Sequence, residues 1–284
     1  MKNKKDFFKK QNNKDMLDIL FAQRFYYNRT NILENFNLVL MIIICISNFF
    51  SINNLILKVI INIVFVLISI GLCRWIKSDT IKGSNLKKYF DYTLYNFDLD
   101  ENLKKECLGL VHDVISKNKK NYEQQITNDG KAKVPGLRDW YFDENYEDEI
   151  DIIKSMQKQN LYWDKIISKI YVILLFVLFI ILMILYIIIA YFNKFEILEL
   201  LIGFMPLFNI MGYLAGKFIT YFSIDKEMAV ANYAIEKATC KNDLIEIQKR
   251  IDKRRKLNFS PPNLIHKLYS KIIHEKIEYV NSKK

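Results

Sequence analysis

The side chains from which active sites are usually built are present in this chain but scattered along it. His112, His266 and His274 stand apart from any cysteine or serine motif, the eight glycines form no phosphate-binding loop, and no pair of carboxylates is spaced to face a cleft. Cys45, Cys73, Cys107 and Cys240 lack the short spacings of a zinc site or a disulfide framework. Acidic residues crowd together at Asp143, Glu144, Glu147, Asp148 and Glu149, without the alternating ligands and turn glycine of a calcium loop; they suit the positive end of a helix dipole. The residue types point away from an enzyme and require neither a metal nor a cofactor.

Arginine is the more informative side chain. The chain has 35 Lys and only 7 Arg, so an arginine marks a place where a planar, bidentate donor is useful. Arg24 lies beside Phe25 and Tyr26, and Arg138 lies beside Trp140 and Tyr141. A guanidinium next to an aromatic face can hold a phosphate while a base stacks on the ring, which makes Arg24, Tyr26, Arg138, Trp140 and Tyr141 candidate ligand-binding residues. A structural salt bridge is the alternative for either arginine, and both readings are open. The net charge of +11 is accounted for by membrane topology and attraction to anionic lipid, rather than by a DNA or RNA polymer as partner.

The elements that would carry these residues are helices, four of them membrane-spanning. Mean hydropathy is only +0.01, yet Ile170 to Phe192 is a run of 23 residues without a charge, about 34 Å as a helix. After Asn193, Lys194 and Glu196, a second apolar stretch runs from Ile197 to about Ile219, closing a hairpin. An earlier pair, Asn37 to Phe50 and Leu55 to Trp75, is separated by Ser51, Asn53 and Asn54. Lys58 lies one turn into its second helix and is expected to snorkel. The expected fold is an all-α membrane protein with four transmembrane helices in two hairpins and a helical cytoplasmic layer. Its segments are an amphipathic amino-terminal helix (1–36), hairpin 1 (37–76), a central cytoplasmic segment (77–169), hairpin 2 (170–219) and carboxy-terminal cytoplasmic helices (220–284).

The fourth span differs from the others because Gly203, Pro206, Asn209, Gly212 and Gly216 interrupt its apolar surface. Two readings are open: tight intramolecular packing around small residues, or a hinge and a lumen-facing polar position in an oligomeric pore. Glu196 and Glu199 at its outer end could ring a cation-favouring mouth. Helices are also expected from about Glu101 to Asn118, from near Asp143 into the third span, from the fourth span on towards Lys237, from Asp243 to Leu257 and from Asn263 to Val280.

The pattern resembles the SMODS-associated four-transmembrane effectors, SMODS denoting synthetases of second-messenger oligonucleotides. The resemblance is carried by Ala22 to Tyr27 before the first hairpin, Val134 to Tyr141 in the central segment and Gln159 to Asp164 before the third span. Glu246-Ile247-Gln248, Arg254 or Arg255, Ser260-Pro261-Pro262 and Leu268-Tyr269 carry it at the carboxy end. The chain departs from the family's pattern at Ile167 and Ser168, where basic residues are expected. The resemblance implies a membrane effector of bacterial antiphage defence. It would be triggered by a nucleotide second messenger such as a cyclic oligonucleotide, act as a homo-oligomer and permeabilise the inner membrane. The other reading of the residues is a non-pore signalling or scaffold protein that binds a protein partner through its cytoplasmic helices.

Of the 42 Lys and Arg, 40 fall in 1–36, 74–169 and 217–284, which places both termini and the central segment in the cytoplasm. A reporter active only outside the cytoplasm should therefore be silent when fused after Ser84, Lys120 or Lys284, and active when inserted near Asn54 or Asn193. External signal from the Lys120 fusion would overturn this topology.

Overall fold

The computed structural model describes residues 4–49, 55–128, 136–141, 148–194 and 196–257, with 259, 261–262, 265 and 268–269. The described residues form eight helices and no strand: α1 Lys4–Gln11, α2 Lys14–Phe49, α3 Leu55–Tyr95, α4 Glu101–Lys117, α5 Lys119–Thr127, α6 Glu149–Asn193, α7 Ile197–Lys237 and α8 Lys241–Arg255. Four of them, α2, α3, α6 and α7, are long and apolar enough to cross a membrane.

These four helices are longer than their apolar runs. Nothing in α2 or α6 is glycine or proline, so neither helix has a reason to stop where hydropathy falls. From Lys14 onward the amphipathic segment and the first span are accordingly one helix, while Lys4–Gln11 forms a separate short helix rather than its continuation. Likewise α3 continues twenty residues beyond Trp75 to Tyr95, a stretch with no apolar pattern to mark it as helical. The 45 residues of α6 extend about 68 Å, roughly twice the hydrocarbon thickness. Where helices do end, the ends are chemically closed. At Tyr95 the chain turns through Asn96 at φ 55°, Phe97 N–H donates to Tyr92 O at 2.9 Å, and Lys10 Nζ donates to the Asn96 side chain at 2.7 Å. Asp100 accepts from Leu103 N–H at the start of α4. The expected opening of α6 near Asp143 and the expected helix from Asn263 to Val280 lie outside, or almost wholly outside, the described residues.

The chain divides into two compact units. Unit 1 comprises Met1–Arg29, Ser78–Lys165 and Ile224–Asn258, and unit 2 comprises Thr30–Lys77, Ile166–Ser223 and Phe259–Lys284. In unit 1 the core is aromatic and aliphatic, with Leu20, Phe90, Leu94, Tyr95, Leu137, Ile153, Met156 and Leu161 buried. Gly83 lets α3 close on the Tyr27 ring of α2, where a Cβ would stand 3.1 Å from a ring carbon.

Unit 2 reverses the usual polarity. Large aliphatics such as Ile56, Leu67, Ile173 and Ile187 are exposed, as lipid-facing side chains would be, while polar side chains are buried between helices. Asn48 and Asn62 exchange reciprocal amide bonds of 3.1 and 3.0 Å between α2 and α3, and Ser69 donates to Asn37 at 2.9 Å. In the second hairpin the Tyr186 hydroxyl donates to Leu200 O, and Gly203 lets α7 approach the Tyr186 ring. Lys58 does not extend outward as expected but is buried, at 6% exposure.

Candidate functional site

Three of the five candidate ligand residues, Arg138, Trp140 and Tyr141, lie on a short strap, residues 136–141, in unit 1. Two reciprocal amide-to-backbone pairs fasten it to the end of α1. Gln11 donates to Tyr141 O at 3.2 Å and accepts from Tyr141 N–H at 3.0 Å; Asn12 donates to the Asp139 carboxylate at 2.8 Å and accepts from Asp139 N–H at 2.9 Å. Asp139 sits at φ 53°, a left-handed conformation that Asp tolerates better than most residues.

The same strap brings Arg24 and Arg138 to one place, the last turn of α5. Arg24 donates to the Gln125 side chain at 3.2 Å and to Gly136 O at 2.9 Å, while Arg138 Nε donates to Ile126 O at 3.0 Å. Arg138 thus caps the negative end of a helix, while Arg24 ties the strap to the Gln125 side chain. Burial pulls the Arg24 guanidinium down to about 10. Arg138 is exposed and Trp140 half-buried, so these two keep surface available to a ligand.

Tyr141 points the other way, into a buried network. Its hydroxyl donates to Asp91 at 2.7 Å and lies within hydrogen-bonding distance of Lys87, Tyr95 and Asn160. The Asp91 carboxylate, fully buried, also receives Lys87 at 3.0 Å, Arg255 at 2.6 Å and the Gln248 amide at 3.3 Å. Arg255 pairs in addition with Asp252 at 3.3 Å, and Gln157 of α6 bridges to Gln248 and Leu244 O of α8. Lys87 further lies over the Trp140 ring at 4.8 Å.

The electrostatics follow from burial against pairing. Burial alone would raise the Asp91 carboxyl, but Lys87, Arg255 and the Tyr141 hydroxyl hold it below the usual carboxylate range. Burial lowers the Lys87 ammonium to about 8, with Asp91 opposing the shift and Arg255 reinforcing it. Burial lifts the Asp252 carboxyl to about 6, with Arg255 opposing and Asp91 reinforcing.

Tyr26 belongs to a separate cluster. It is buried beneath Arg29 at 5.3 Å and Lys82 at 5.6 Å, and Arg29 forms a bidentate pair with the buried Asp79. The arginine that combines a carboxylate fork with aromatic faces is therefore Arg29, over Phe25 and Tyr26. A scan of adjacent residues misses it because helical neighbours lie three and four positions apart. No sequence pattern joins Gln11, Asn12, Lys87, Asp91, Gln248 and Arg255 into a group either, although Gln248 and Arg255 fall in segments that carry the resemblance.

On the fourth span the small residues separate into two groups. Gly203 packs closely, a Cβ there standing 3.2 Å from the Tyr186 ring, and Pro206 is buried. Gly212 and Gly216 have nothing among the described residues within 4 Å of a Cβ position, and Asn209 is half-buried. Packing within the chain thus accounts for Gly203 and leaves the Gly212 to Gly216 face open. Glu199 accepts from Glu196 N–H at 3.1 Å, a capping bond at the start of α7.

The shift at Asp252 gives unit 1 a pH signature. The folded carboxyl titrates near 6 and the unfolded one near 3.8, so over that interval the folded state takes up the proton first and protonation stabilises it. The wild type should therefore gain on Asp252→Asn, by on the order of 3 kcal/mol, as pH falls through this window. Thermal unfolding of both proteins in detergent across the acid range measures the difference; parallel curves would remove Asp252 from the network's energetics.

Over residues 5–279 the chain matches the SMODS-associating 4TM effector domain. No curated protein and no solved structure matches it. Four helices fit to span a membrane, an all-helical architecture and a match over nearly the whole chain agree: this protein belongs to the SMODS-associating four-transmembrane effector family.

Proposed function

We propose that the protein is a signal-gated effector of the bacterial inner membrane in antiphage defence. A nucleotide second messenger binds the cytoplasmic helices, copies associate through their spans, and the assembly permeabilises the membrane. The family supports the class of membrane effector in a second-messenger system. The observation that favours assembly is the open Gly212 to Gly216 face of α7, two small residues one turn apart with no partner near them in the described chain. Asn209 lies on the same helix, and an amide there is costly in lipid unless water or a polar group meets it. For the trigger, Arg138 and Trp140 offer a guanidinium and an aromatic face on one strap, with Arg24 beside Arg138 at the end of α5. The charge asymmetry supports cytoplasmic placement of both termini.

Purified protein in dye-loaded liposomes tests the reading with a panel of cyclic di- and trinucleotides. One of them should cause leakage, and Asn209→Leu should abolish that leakage while binding persists. Leakage unchanged by Asn209→Leu would make the residue structural.

Calorimetry tests the ligand site. Arg138→Lys keeps the charge but loses the fork, and should weaken binding by about 1 to 2 kcal/mol, roughly five- to thirty-fold. If no cyclic nucleotide binds the wild type, the trigger is wrong and a protein partner replaces it. If binding survives substitution of both Arg24 and Arg138, the site lies elsewhere.

A further inference from the structure

Unit 2 contains one ion pair among its described residues, Glu34 of α2 with Lys217 of α7, and both side chains are almost fully buried. Charges in a span-forming unit are expensive, so this pair needs a physical reason. The Tyr213 hydroxyl donates to the same carboxylate oxygen at 3.0 Å and is joined at 3.1 Å to the Tyr171 hydroxyl of α6. Phe259 and Pro261 cover the group. The Phe259 ring lies 5.8 Å from the Lys217 ammonium and 5.5 Å from the Tyr171 ring, and Pro261 O accepts from Asn31, one turn before Glu34. Three helices, with Phe259 and Pro261, thus meet around a single carboxylate.

That carboxylate is held less completely than the one in unit 1. Asp91 receives four donors, two on each oxygen. Glu34 receives both of its donors on Oε1, while Oε2 is buried with no hydrogen-bond partner among the described residues, as is the Thr30 hydroxyl one turn earlier. A buried, half-satisfied charge is a contact that costs little to open, because water would supply what the interior does not. We propose that the Glu34–Lys217 pair, covered by Phe259 and Pro261, is the latch that keeps the span bundle closed. This inference rests on the permeabilisation reading for its biological meaning, but the latch itself can be measured without it.

The test uses full-length protein in liposomes without nucleotide, with two readouts. Glu34→Gln and Lys217→Met should each raise spontaneous dye leakage at least tenfold, Phe259→Ala should raise it less, and Lys217→Arg should behave as wild type. The swap E34K/K217E should return leakage most of the way to the wild-type level. Spin labels at Phe36 and Ile219, both exposed, in a background without the four cysteines should report a longer α2 to α7 distance in Glu34→Gln and Lys217→Met and recovery in the swap. Wild-type distances in folded single variants overturn the latch. So does a lengthening that the swap fails to reverse, since lost structure rather than a lost pair would then be its cause. If distances change as expected while no protein leaks under any condition, the latch holds and the permeabilisation reading fails.

Discussion

A fully buried carboxylate cannot be left alone. Taking Asp91 out of water costs several kcal/mol unless donors replace the water, and the donors come from three places far apart in sequence. Lys87 is on its own helix one turn away, Tyr141 arrives on the strap, and Arg255 with Gln248 arrives on α8. Unit 1 therefore cannot bury the inner face of α3 before the strap and α8 are seated. The reciprocal bonds from Gln11 and Asn12 to the strap then extend the dependence to α1. A network of this kind adds little net stability over an apolar core, but each member makes the others necessary.

Unit 2 solves a different problem. In lipid an aliphatic side chain gains nothing by choosing a helix over an acyl chain, so apolar surface alone cannot decide which helices pair. Here polar side chains decide. The Asn48–Asn62 and Asn37–Ser69 bonds join α2 to α3, the Tyr186 hydroxyl joins α6 to α7, and Glu34 with Lys217 joins α2 to α7. Gly203 complements them by removing bulk where α7 meets Tyr186.

The four spans were legible in the sequence because a helix of 23 uncharged residues has no polar face to turn towards water, and its length matches the hydrocarbon layer. Helices α4 and α8 were legible to within about two residues, because periodicity and caps coincide there. The continuation of α3 to Tyr95 was not, since the apolar pattern that exposed the span ends long before anything breaks the helix. The candidate residues stand out as types more than as partners. Arg24, Arg138 and Trp140 stand out by composition, and the strap does bring the two arginines to the end of α5. The pairs that organise both units join residues as distant as Asp91 and Arg255 or Glu34 and Lys217, and no local spacing encodes them.

The arrangement around Asp91 also constrains how such a chain can change over generations. Removing Asp91 first would strand the Lys87 cation in a dry interior and leave Arg255 with Asp252 alone, whereas removing Lys87 first leaves Asp91 with Arg255, Gln248 and Tyr141. Mutational paths through this region are therefore ordered: the cation on α3 can drift early, the carboxylate only late, and Arg255 only together with its acidic partners. Lineages that accept Lys87 replacements while keeping Asp91 and Arg255 together are the expected trace of that order.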